Sequence, residues 1–192
     1  MPKRRVKKVA KTSDVAPRLR KALLKQTKAV LVEILVELAK EDRKLLRRLA
    51  ERIDLEAPPE ELAAATRQAI ADATDFDERD INRNFDYDYE AYAEVNRNLR
   101  RLIDLGELRL AMELSLELMK QGSYQVEMSD EGLMTDDIEE CIQVVVTALK
   151  RSGLPAKEIV AWCKAMLKSD RVGCIYDREL EELRKRIEVL GS

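Results

Sequence analysis

Residues 19–53 read LRKALLKQTKAVLVEILVELAKEDRKLLRRLAERI, and this stretch decides the fold class. Leu19, Leu23, Val30, Ile34 and Leu38 recur at four- and seven-residue steps, with Leu24, Leu31 and Leu35 beside them. That is the period of a helix. From Val30 to Leu38 apolar residues fall on nearly every side, which predicts a well-buried end to this helix. Asp42 restarts a helix carrying Leu45, Leu46, Leu49 and Ile53. Upstream, Asp14 stands where a helix cap is expected, with Pro17 in the first turn.

The rest of the chain agrees. More than half of its 192 residues are Ala, Glu, Lys, Leu or Arg, with only six Gly, five Pro and eight aromatics. Such a composition belongs to an all-α protein. No alternating run of strand formers stands between turns, which excludes an all-β fold. Pro59 with Glu60 and Glu61 opens a helix through Leu62, Thr66, Ala69 and Ile70, since Pro and acids both favour a first turn. Residues 74–90 are acidic, Asn-rich and aromatic. Phe76, Phe85, Tyr87 and Tyr89 make this a structured connection, because aromatics in a loop dock on a core. A helix from about Tyr89 to Leu105 follows, and Gly106 ends it. The next carries Leu108, Met112, Leu116 and Met119 and is expected to stop near Gly122, leaving residues 122–135 as a second long connection. Thr135 with Asp136 and Asp137 starts another, Pro155 a further one, and a last amphipathic helix follows Gly173.

The expectation is about eight antiparallel helices. They form an irregular bundle or a short array of helical hairpins like tetratricopeptide or HEAT repeats, since helix pairs begin near residues 60, 107 and 155. A basic arm, 1–13, precedes one helical domain, 14–192. No apolar run approaches the roughly 18 residues needed to span a bilayer, so no membrane partner is expected.

Charge is unevenly placed. Residues 1–28 carry 11 Lys/Arg and one acid, whereas residues 29–192 carry 24 Lys/Arg and 36 acids. The net is +10 against −12. Lys3, Arg4, Arg5, Lys7, Lys8 and Lys11 could bind phosphate without reading sequence, by releasing counterions. The same cluster serves equally as a solubilising terminus, or as a nuclear import signal in a eukaryotic host. Arg18, Lys21, Lys25 and Lys28 extend it along one face of the first helix. An opposite-signed head and body can also meet between copies, so self-association is compatible with the charge pattern.

The chain has no histidine and three cysteines. Ser-His and Cys-His nucleophile pairs are therefore excluded, as are zinc fingers that use histidine. Cys141, Cys163 and Cys174 form no C-x-x-C pair. Cys141 and Cys163 lie among apolar helical residues, as small buried hydrophobes do. An odd cysteine count without a disulfide framework suits a reducing, cytoplasmic setting.

Two acidic groups are candidate metal sites. Asp75, Asp77, Asp80 and Asp86 fail as an EF-hand, because Asp80 stands where the loop needs Gly and Asp86 where it needs Glu. Asp136, Asp137, Glu139 and Glu140 are explained by the positive end of a helix. Trp162 reads as core by default and as an interface anchor otherwise. No Walker A, G-x-G-x-x-G or G-x-S-x-G motif is present.

Residues 31–49 (LVEILVELAKEDRKLLRRL) and 89–134 (YEAYAEVNRNLRRLIDLGELRLAMELSLELMKQGSYQVEMSDEGLM) together resemble the helical region that follows the SWIM zinc finger in some prokaryotic proteins. Ser129-Asp130-Glu131-Gly132 stands at that region's short acidic turn. The Cys/His zinc motif itself is absent here. The resemblance implies a tetratricopeptide-like or other α-helical repeat module without catalytic machinery, and neither a zinc role nor a direct DNA role carries over. The sequence thus points to a non-enzymatic scaffold or adaptor, with no cofactor or metal and with a protein partner. The alternative is a nucleic-acid-associated protein acting through its basic arm.

Overall fold

The computed structural model describes residues 15–50, 57–84 and 87–190. Among them every regular element is an α-helix. The chain divides into two compact units, Met1–Asp54 and Leu55–Ser192. The boundary falls inside the span expected to form one domain.

The first unit holds α1 (Val15–Leu23), α2 (Lys28–Glu41) and α3 (Arg43–Ala50). The continuous helix expected from Leu19 to Leu38 is broken at residues 24–27. Thr27 causes the restart: its backbone is extended, and its hydroxyl accepts the Val30 N–H at 3.3 Å. A side-chain oxygen that satisfies a free first-turn N–H fixes a helix start there. Asp42 does the same for α3, accepting the N–H groups of Lys44 (2.9 Å) and Leu45 (3.2 Å). That restart is the expected one. The Asp14 cap lies outside the described residues.

The second unit holds α4 (Pro59–Thr74), α5 (Glu78–Asn84), α6 (Tyr89–Asp104), α7 (Leu108–Met128), α8 (Thr135–Leu149), α9 (Ala156–Ser169) and α10 (Asp177–Leu190). The described residues thus contain ten helices where about eight were expected. One addition is the break before α2. The other is α5, inside the aromatic connection. Asp77 caps it by accepting the Arg79 N–H at 2.8 Å.

In this unit α7 packs against α4, α6, α8 and α9, while α10 lies on α9. The core is continuous, from Leu62 and Ile70 through Leu99, Leu118 and Ile142 to Met166 and Leu183. Two connections depart from expectation in opposite ways. Residues 74–90 do dock: Phe76 and Tyr87 pack on the core, and Tyr87 meets the edge of the Tyr92 ring at 6.2 Å. Residues 122–128 form no loop. They continue α7 straight through Gly122, which is a close-packing glycine and not a stop. The turn that follows is held from α5. Asn82 donates to the Met128 carbonyl at 3.1 Å and accepts the Asp130 N–H at 2.8 Å.

Candidate functional site

The two units bury their apolar residues very differently. In the second, hydrophobic residues close on one another. In the first, Ala39 is the only buried apolar residue among those described. The expectation that Val30–Leu38 would be buried is overturned. Val32 is 46% exposed, Leu35 44% and Leu38 46%. Helical period alone cannot say what covers a helix, and α3 lies against α2 without enclosing it.

The geometry of α2 follows from its sequence. Eight of the ten residues from Val30 to Ala39 are apolar. At about 100° per residue, Glu33, Glu37 and Glu41 line up in one narrow stripe. The remaining two-thirds of the circumference is apolar. α1 adds Val15, Leu19 and Leu23, all exposed, opposite a basic face holding Arg18 and Lys21. Between α1 and the start of α2 lies a groove of about 410 Å³, walled by Leu19, Leu23, Leu24 and Leu31. Large apolar side chains exposed in such number on neighbouring helices mark an interaction surface. This surface is the candidate site, and what it can do chemically is to receive another apolar surface.

The second unit offers less. A groove of about 680 Å³ runs between α6 and α8, with Arg100, Asp104, Gln143 and Arg151 at its walls. It is open to solvent, and the Arg100 Nε is already engaged by Asn96 Oδ1 at 2.8 Å. Of the carboxylates at the start of α8, Asp137 serves the fold. Asp137 accepts the Tyr87 hydroxyl at 2.8 Å. Burial, and then that hydrogen bond, push the Tyr87 phenol up to about 12. Burial also raises the Glu139 carboxyl. Asp75 follows the last residue of α4, and Asp77 caps α5. Asp86 lies outside the described residues. Among those described, no group of three or more Cys, Asp or Glu could hold a metal ion.

Trp162 is 6% exposed, and its indole N–H donates to the Met112 carbonyl at 2.9 Å. It joins α9 to α7 as a core residue, with its one donor satisfied inside the fold. Cys141 and Cys163 are buried and free, and Cys174 is exposed. Lys3, Arg4, Arg5, Lys7, Lys8 and Lys11 lie outside the described residues. Their continuation, Arg18, Arg20, Lys21, Lys25 and Lys28, is exposed, but the break at residues 24–27 leaves Lys25 in the turn and puts Lys28 on α2, so Arg18, Lys21, Lys25 and Lys28 do not share one helix face as expected. The α2 surface is legible in the apolar run itself, which reads equally as core. The warning signal was the shortage of partner helices upstream of Pro58-Pro59.

Among the described residues no helix is long and apolar enough to cross a membrane. No family model matches the chain, nor does any curated protein or solved structure. The functional reading therefore rests on the residues and their geometry.

Proposed function

We propose that this protein is a non-enzymatic helical scaffold or adaptor that binds another macromolecule through the apolar surface of α1 and α2. One observation carries the reading: 11 of the 16 exposed large apolar side chains among the described residues lie between Val15 and Leu46. The second unit supports it by contrast, since its apolar residues close into a core of their own. The test is affinity capture from the native host with the full chain and with the double variant Leu35→Glu, Leu38→Glu. Glutamate keeps helix propensity while placing charge on the apolar face. The expected result is loss of the captured set in the variant. An unchanged set would overturn the reading.

A second reading is favoured by the exposed cations of α1, which prolong the basic N-terminal arm. In it the arm and α1 contact nucleic-acid phosphate without sequence preference. Binding should then weaken steeply with salt and be lost on deleting residues 1–13. Equal binding by the truncated chain would remove this reading.

A further inference from the structure

We propose that the partner of the α2 surface is a second copy of this chain, the two copies joining their N-terminal units about a two-fold axis. The inference rests on the adaptor reading in that it uses the same surface, and it names the occupant.

A helix apolar over two-thirds of its circumference belongs inside a bundle, with neighbours on both flanks. The first unit gives α2 one flanking neighbour, α3, and buries only Ala39 among its apolar residues. Two such units, each with the apolar side chains of α1 and α2 open to solvent, can bury them against one another. Two-fold dimers are the commonest closed assemblies, because one self-complementary patch serves both sides.

The area is sufficient. The 11 exposed side chains between Val15 and Leu46 present on the order of 900 Å² of surface, against about 800 Å² per partner in a standard interface.

Charge selects among occupants. Glu33, Glu37 and Glu41 border the apolar face of α2, and an acidic border repels phosphate and anionic lipid alike. Nucleic acid and an anionic membrane therefore fit α2 poorly. Along the chain the sign alternates: α1 is basic at Arg18 and Lys21, the stripe of α2 is acidic, and α3 is basic at Lys44. A two-fold offers each acidic stripe the basic helices of the other copy, and every such pairing occurs twice.

The experiment is the solution mass of the full chain, by light scattering over roughly 1 to 100 μM, a range that detects micromolar dimers. The chain mass is 22.0 kDa. The wild type should approach twice that mass, and Leu35→Glu with Leu38→Glu should return it to 22.0 kDa. Near-UV circular dichroism of buried Trp162 reports whether the second unit stays folded in the variant. Leu133→Glu, exposed in the second unit, should leave the dimer intact. As an independent measurement, Leu35→Cys in a Cys174→Ser background should form a disulfide-linked dimer on mild oxidation, and Leu133→Cys should not.

A wild type that stays at 22.0 kDa throughout overturns self-association. So does a dimer that the α2 double variant leaves intact. A monomer whose captured partners vanish in the double variant overturns self-association alone and leaves the adaptor reading standing. A dimer lost in the double variant, with the captured set unchanged, supports self-association and removes the adaptor's use of α2.

Discussion

Gly122 of α7 faces Ile138 of α8 so closely that a Cβ on the glycine would lie 2.7 Å from Ile138 Cδ1 and 3.2 Å from its Cγ1. Ile138 has no solvent exposure, so its side chain has little room to withdraw. The two helices approach here because one of them lacks a side chain. Two effects then compete in Gly122→Ala. Alanine gains roughly 1 kcal/mol in helix propensity, while overpacking a filled core costs about 1–3 kcal/mol. Net destabilisation is expected. Ile138→Val removes the clashing methyl and alone should cost about 0.5–1.5 kcal/mol. In the Gly122→Ala background that cost should shrink or reverse. Denaturant unfolding of the four proteins in a double-mutant cycle measures the coupling, and strict additivity would refute the contact.

The same contact explains what was legible in the sequence. A glycine between helical runs reads as a stop, and Gly106 is one, with φ +85° and no neighbour within 4 Å of a built Cβ. Gly122 also stands after a helical run and has the opposite role, decided by Ile138, which is 16 residues distant. Periodicity placed α4, α6, α8, α9 and α10, because each has one apolar stripe and a clear start signal. It could not tell that the apolar run of α2 would remain open, since burial depends on which helices are near. The buried polar pairs of the second unit were equally hidden. Nothing local to Tyr92 announces Gln125.

Tyr92 and Gln125 form a buried chain across three helices. The Tyr92 hydroxyl of α6 donates to Gln125 Oε1 of α7, and Gln125 Nε2 donates to the Ala73 carbonyl of α4 at 3.1 Å. Both side chains are essentially inaccessible. Removing one partner of a buried pair leaves the other unsatisfied, at about 1–3 kcal/mol. Tyr92→Phe orphans one acceptor. Gln125→Leu strands the tyrosine hydroxyl and the Ala73 carbonyl together, and is expected to cost more. Burial raises the Tyr92 phenol well above its ordinary range, so spectrophotometric titration should find it un-ionised until the protein unfolds. Equal stability losses for Tyr92→Phe and Gln125→Leu would break the three-helix argument.

The cysteines should differ sharply in reactivity. Burial pushes the Cys141 and Cys163 thiols up to about 12 each, and the thiolate is the reactive form. Cys174 is exposed, though burial and then the nearby Asp170 and Asp177 carboxylates raise its thiol as well. At about pH 8, iodoacetamide should therefore label native protein once and slowly, at Cys174, and denatured protein three times. Intact mass followed by peptide mapping gives the answer. Rapid native labelling at Cys141 would mean that α8 opens far more readily than its packing implies.

Asp177 sets a pH dependence of determinate sign. Burial is the largest cause raising its carboxyl, followed by the Asp170 charge. One Asp177 oxygen is sealed from solvent without a hydrogen-bond partner. Asp170 is fixed nearby, accepting the N–H groups of Val172 at 3.0 Å and Ile175 at 2.7 Å. The folded state therefore binds the Asp177 proton more tightly than the unfolded state does. Unfolding free energy must fall as pH rises from the ordinary aspartate range through the raised folded value. Asp177→Asn abolishes that loss. The opposing effect is the helix end: Asp177 is the first residue of α10, where a carboxylate gains about 0.3–1 kcal/mol from the backbone dipole. Since burial outweighs that gain, the variant should melt higher than wild type near neutrality, by less than about 1 kcal/mol given partial solvent screening. The difference should fade as pH drops below the ordinary aspartate range. Thermal melts at matched ionic strength across that interval decide the matter, and a variant less stable at neutral pH would show that the helix end dominates.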